Sequence, residues 1–147
     1  MVQTGARTDP FRNFNFLVEI DGITQASFIE CSGLEATTEV IETREGGSNT
    51  TVYKLPGKTA YSDITLKWGV TASREMWLWR QGVIEGNLSR RNGSIVLYDL
   101  ANRNEVARWN FVNAWPSKWD GPALNAKGND IAVESLVIAH EGIVRAS

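Results

Sequence analysis

A chain of 147 residues, 42% apolar and 22% charged, has the length for one domain with a real core and the composition of an ordinary globular fold. Its formal net charge of -2 gives no basic excess for neutralising nucleic-acid phosphates, and the short pair Arg90-Arg91 does not supply one. With Cys31 as the only cysteine, an intrachain disulfide and a cysteine-built zinc site are excluded, which fits a reducing compartment.

In chain order, residues 1–12 read as a loose, flexible extension of a single domain over 1–147, without the apolar core of a signal peptide. No apolar run approaches the ~20 residues that a membrane-spanning helix needs, so no membrane anchoring by this chain is expected. FNFLVEI alternates with period two, placing Phe14, Phe16, Val18 and Ile20 on one face, and Asp21-Gly22 closes it as a turn. The stretch from Thr43 to Thr71 begins and ends as strand but is polar and doubly interrupted in between, by Gly46-Gly47-Ser48-Asn49 and by Leu55-Pro56-Gly57-Lys58. Residues 43–60 therefore read as an extended hairpin arm with little to bury against. SDITLKWGV puts Ile64, Leu66, Trp68 and Val70 on one side.

SREMWLWRQGVIE breaks the alternation. Met76, Trp79 and Val83 recur at helical spacing, Ser73 reads as N-cap and Glu75 suits the first turn, predicting one helix over about 73–85 that ends near Gly86. Its apolar arc, with Trp77, Leu78 and Ile84 on further faces, is too wide to pack on one sheet. GSIVLYDL and EVARWNFVNAW read as strands. Gly121 to Asp130 reads as a long loop, and IAVESLVIAHEGI as a last strand covered on both faces. Many antiparallel strands and one helix predict a mainly β fold, a two-sheet sandwich or partly closed barrel.

Residues that could carry chemistry are few. A Ser-His-Asp arrangement would have to use His140, beside Glu141 in the last strand, where local or interfacial satisfaction explains it better. Cys31 reads as a small half-buried residue. The carboxylate pairs Glu39/Glu42 and Glu30/Glu35 could serve glycoside chemistry but read as solvated strand faces. Pro56-Gly57-Lys58-Thr59 holds a GKT tripeptide, but Val52 stands where a phosphate loop needs glycine, and a strand follows. No enzyme activity, cofactor or metal is expected. Six tryptophans leave a carbohydrate-binding sandwich as an alternative function. Against it, Trp68, Trp109 and Trp115 read as core anchors. Trp77 and Trp79 lie on adjacent helix faces and cannot both enter one core, which points to a subunit contact.

DPFRNFNFLVEIDGI, FIECSGLEATTEVIETREGG, YKLPGK, ITLKWGVT and the run from RRNGSIVLYD through ARWNFVNAWPSKWDGPALNAKGNDIAVESLVIAHEGI together resemble the phage tail tube protein family of T4-like contractile tails. The resemblance extends from about Asp9 onward and looks like the inner tube proteins of contractile injection systems. It implies a fold similar to the Hcp tube protein, with subunits that form hexameric rings. The rings stack into a hollow tube, and strands of neighbouring subunits join into one barrel around the lumen. The partners implied are the chain itself, a sheath protein outside, baseplate or tube-initiator proteins and terminator or cap proteins at the ends, and protein effector or DNA cargo within. Assembly in the bacterial cytoplasm, then residence in the particle, is implied as well. A tube-initiator or baseplate adaptor of the same family is the nearest alternative. The resemblance maps an inter-ring contact arm onto Arg44, Glu45, Gly46, Gly47, Tyr53, Lys54, Leu55 and Lys58. It maps an intersubunit helix onto Trp77, Trp79 and Arg80, and a further contact loop onto Leu124, Asn125 and Lys127.

Overall fold

The computed structural model describes residues 14–23, 28–44, 46, 51–100, 103–128 and 131–146, so the expected extension over 1–12 lies outside them. In chain order the elements are β1 (Phe14–Ile20), β2 (Glu30–Ser32), β3 (Ala36–Thr43), β4 (Tyr53–Tyr61), β5 (Ile64–Gly69), α1 (Glu75–Ile84), β6 (Arg91–Asp99), β7 (Glu105–Asp120), β8 (Val133–Ala139) and β9 (Gly142–Arg145). The mainly β prediction is met: seven strands form one antiparallel sheet in the order β1-β6-β7-β8-β5-β2, with β9 also on β7, and β3-β4 form a separate ribbon. The sheet does not close into a barrel.

β7 makes the sheet two-layered. Its first part pairs with β6 and, from Trp109 to Val112, with β9; from Trp115 to Asp120 it pairs with β8. Between these parts Asn113 takes the left-handed conformation, with φ of 52°. Its amide donates to Asn92 Oδ1 at 3.0 Å and its Nδ2 to Glu141 Oε2 at 2.9 Å, so the bend is pinned from both neighbours. A strand that turns a corner in this way folds one sheet over itself.

The alternation read in the sequence fills the space inside the fold. Val18, Ile20, Ile95 and Phe111 from one half pack in a single cluster with Ile64, Leu66, Trp68, Leu136 and Ile138 from the other. Met76 and Trp79 of α1 join that cluster. The opposite face of the first half is polar and aliphatic. On it Val96 lies opposite Leu17 and Arg108, and Ser94 Oγ donates to Asn110 Oδ1 at 2.7 Å.

Three expectations are corrected. The final apolar run is two strands, not one: His140 and Glu141 interrupt it, and β8 and β9 pair with different parts of β7. Only Leu136 and Ile138 of β8 are fully buried, so it is covered on one face. The helix starts at Glu75 with Arg74 at its N-cap and no side-chain cap, because the Ser73 amide is bonded to Thr71 Oγ1 at 3.3 Å and Ser73 sits one position too early.

Candidate assembly surfaces

The arm is longer than the sequence suggests. It takes in Ala36–Thr43, which leaves the body and pairs with Tyr53–Tyr61, and so begins before residue 43. Leu55-Pro56-Gly57-Lys58 does not interrupt it; these residues run through the middle of β4. Both strands of a lone ribbon are edges, so proline's missing N–H need not break a ladder. A Cβ added at Gly57 would meet the Ile41 side chain at 3.0 Å. Thr38 and Thr59 share a hydrogen bond at 2.9 Å across the pair.

Every residue of β3 is exposed. Residues opposite one another share a face, so one face carries Ile41, Leu55, Thr43 and Tyr53 and the other Val40, Pro56, Glu42 and Lys54. Both faces thus display apolar side chains to water: Val40 is 60% exposed, Leu55 50% and Ile41 43%. β3 and β4 pack on each other and on little else. A two-stranded ribbon with nothing on either face is marginal by itself.

The base of the ribbon is fixed to the body. The Ser62 amide donates to the Glu35 carbonyl at 3.1 Å, and the Tyr61 ring lies 5.8 Å from that of His140. Gly33, with φ of 93°, sits so close to the Asp63 carbonyl that no side chain fits there. Of the residues assigned to the arm, Tyr53, Lys54, Leu55 and Lys58 lie in β4, Arg44 and Gly46 follow β3, and Glu45 and Gly47 lie outside the described residues.

The two helix tryptophans separate as their spacing requires. Trp79 is turned into the core, its indole donating to the Ser89 carbonyl at 2.8 Å and the Arg91 guanidinium lying over its ring. It is therefore not open to a partner. Trp77 stands at the surface against Trp119, ring centroids 4.7 Å apart and nearly perpendicular. Leu78 and Ile84 are more exposed still, and Arg80 is half-buried. In the 121–128 loop a turn closes by Gly128 N to Asn125 O at 3.2 Å, and Asn125 Oδ1 accepts from the Lys127 amide; Leu124 beside it is 84% exposed.

The strand edges that the joining of neighbouring subunits needs were not assigned to particular strands from the sequence. Among the strands of the described residues β1 pairs with β6 alone and β9 with β7 alone, which leaves each one open edge. Both belong to the same four-stranded half, β1-β6-β7-β9. On the outer face of that half Arg108 is held by Glu105 at 2.7 Å and Glu19 at 3.3 Å.

The candidate chemical residues stay apart. His140 Nε2 is bonded to the Ser62 carbonyl at 2.9 Å, which anchors the arm base. Cys31 is pushed up to about 11, first by burial and then by the Glu30 charge, away from the thiolate a nucleophile needs. Glu30 pairs with Lys67 at 3.0 Å, while Glu39 and Glu42 are exposed on the ribbon. No group of three or more His, Cys, Asp or Glu able to hold a metal occurs among the described residues. Trp68 and Trp79 are core; Trp109 and Trp119 pack against it, and Trp115 is half-buried.

The family model of the T4-like virus tail tube protein gp19 matches residues 12–144. Among solved structures, a chain of the PVC sheath-tube complex of an extracellular contractile injection system is 26% identical, with a TM-score of 0.83, over 94% of this chain and 92% of that one. A chain of the anti-feeding prophage tube terminating cap is 27% identical, with a TM-score of 0.85, over 99% and 96%. Hcp1 from Flavobacterium johnsoniae shares the fold, at 14% identity and a TM-score of 0.51 over 88% and 94%. No curated protein matches the chain.

Proposed function

The chain belongs to the T4-like virus tail tube protein family, and from that premise we propose that it is a non-catalytic tube subunit of a contractile injection particle. Copies close into hexameric rings, and rings stack into a hollow tube that a contracting sheath propels and that conducts cargo. The sheath lies outside, with baseplate or initiator proteins and a cap at the ends. Assembly takes place in the bacterial cytoplasm. The single observation that carries this reading is the ribbon of residues 36–61, apolar on both faces and uncovered on both.

The open edges supply the ring. In the order β1-β6-β7-β9 each strand is antiparallel to the next, so β9 runs opposite to β1. Setting β1 of one copy against β9 of the next continues the alternation without a parallel seam, and closure removes both edges. Six copies of four strands, at ~4.8 Å per strand, enclose a backbone barrel roughly 40 Å across. The face turned to that channel carries Leu17, Val96, Ser94 and Asn110, with Arg108 already neutralised by two carboxylates. Such a wall holds passing cargo weakly, whether protein or DNA. The ribbon, and with it Arg44, Lys54 and Lys58, reaches the next ring; Trp77, Arg80 and the Leu124–Lys127 turn offer further contacts.

Removing residues 41–55 of the ribbon tests the reading. The expected product is a folded chain, or a ring, that forms no tube in negative-stain images; normal tubes from it refute the proposal. A second reading within the family, a terminator or initiator present as a ring or two per particle, is favoured by the likeness to cap and terminator structures at a TM-score of 0.85. Stoichiometry in purified particles separates the two.

A further inference from the structure

The ribbon leaves the body at the start of β5, where Ser62 and Tyr61 fix its base. The opposite end of the same strand lies beside α1. There Trp68 and Met76 floor a cavity of about 260 Å³ between α1, β7 and β8. Trp77 and Trp119, packed edge to face, form one wall, and Arg74 and Glu134 stand at its rim. Glu134 Oε2 accepts from Trp119 Nε1 at 3.2 Å, which fixes the carboxylate in the mouth. An aromatic-walled opening with one acid and one base is shaped for an aliphatic side chain flanked by opposite charges.

The ribbon carries that pattern. Glu42 and Lys54 lie directly opposite each other, and the next pair, on the same face, is Val40 and Pro56. Among the described residues Glu42, Lys54 and Arg74 form no ion pair within the chain. We propose that the mouth beside the Trp77–Trp119 pair is the socket for the ribbon of an identical chain in the neighbouring ring, with Val40 and Pro56 entering it, Lys54 meeting Glu134 and Glu42 meeting Arg74. This rests on the tube reading above and names the seat that the reading leaves open. Plug and socket at opposite ends of one strand make a heterologous contact, which propagates along an axis where the rotation between copies does not close a ring. The crossed charges fix the register, since a ribbon seated the other way round sets like charges together.

The test uses the full chain. On a Cys31→Ala background, Val40→Cys chains are mixed with Thr71→Cys chains, Thr71 being at the lip of the mouth, and oxidised under tube-forming conditions. Disulfide-linked dimers in the mixture and in neither population alone are expected; tubes without such dimers overturn the socket. Separately, Lys54→Glu and Glu134→Lys should each raise the concentration needed for tube growth by about tenfold, and the two combined should restore it. A combination no better than its parts overturns the proposal. Should Glu134→Lys unfold the chain, as read by its melting curve, Arg74→Glu with Glu42→Arg makes the same comparison. Tubes from the chain lacking its ribbon sink the tube reading itself, whereas loss of tubes there with neither cross-link nor rescue sinks the socket alone.

Discussion

Replacing Ile41 and Leu55 together by serine separates assembly from folding. Both side chains sit on one face of the ribbon, and about half of each is already covered within the chain: Ile41 is 43% exposed and Leu55 50%. Complete burial of such a side chain contributes roughly 1.5–3 kcal/mol, so the exposed half leaves about 1 kcal/mol for each to gain when a neighbour covers it. The pair loses about 2 kcal/mol per seated ribbon, or roughly a 30-fold weaker contact. The isolated chain loses at most a similar amount, from the half already covered, and only in a ribbon that packs on little but itself. Tube yield against protein concentration, by sedimentation, reads the first quantity; urea unfolding of the unassembled chain reads the second. A variant that unfolds as easily as a core mutant, yet polymerises at the parent's concentration, refutes the reasoning on both counts.

Leu136→Ala tests the opposite case: Leu136 is fully buried between the layers, so its loss should cost about 2–5 kcal/mol in urea unfolding of the unassembled chain. Arg145→Pro adds a proline to the exposed β9 and should block ring formation in size-exclusion profiles while far-UV circular dichroism stays close to that of the parent. Cys31 should alkylate at a rate that is half-maximal near pH 11 in the folded chain and near pH 9 in denaturant, because folding moves its thiol from 9.0 to about 11. The sign follows for stability: the folded state holds this proton more tightly, so its contribution is complete below pH 9 and fades as pH rises towards 11.

The layers were legible because period-two alternation is enforced by burial: Phe16, Val18 and Ile20, and Ile64, Leu66 and Trp68, stand where the core requires them. The tail tube likeness was legible in the order of segments along the chain, and the family model matches nearly all of it. The length of the arm was hidden. ATTEVIET has the β propensity of a body strand, and nothing local states that no layer will cover it. Pro56-Gly57 reads as a breaker in a sheet and is harmless in a ribbon whose two strands are both edges. The split of the last strand depends on Asn113 bending β7, and Glu141 meets Asn113 only through tertiary contact. Trp77 and Trp79 were separable by spacing, and Trp79, on the stripe of Met76, is the one buried, but the Ser89 carbonyl that its indole meets was not legible. The socket could not be read at all, since its residues come from β5, α1, β7 and β8 and converge only in the fold.

Hydrogen exchange across residues 36–43 and 53–61, measured in the unassembled chain and again in sedimented tubes, bears most directly on whether the ribbon is unfinished until copies meet. Fast exchange in solution that slows markedly in the tube is the predicted result. A ribbon already protected in the lone chain, or one that exchanges equally fast inside a tube, contradicts the account.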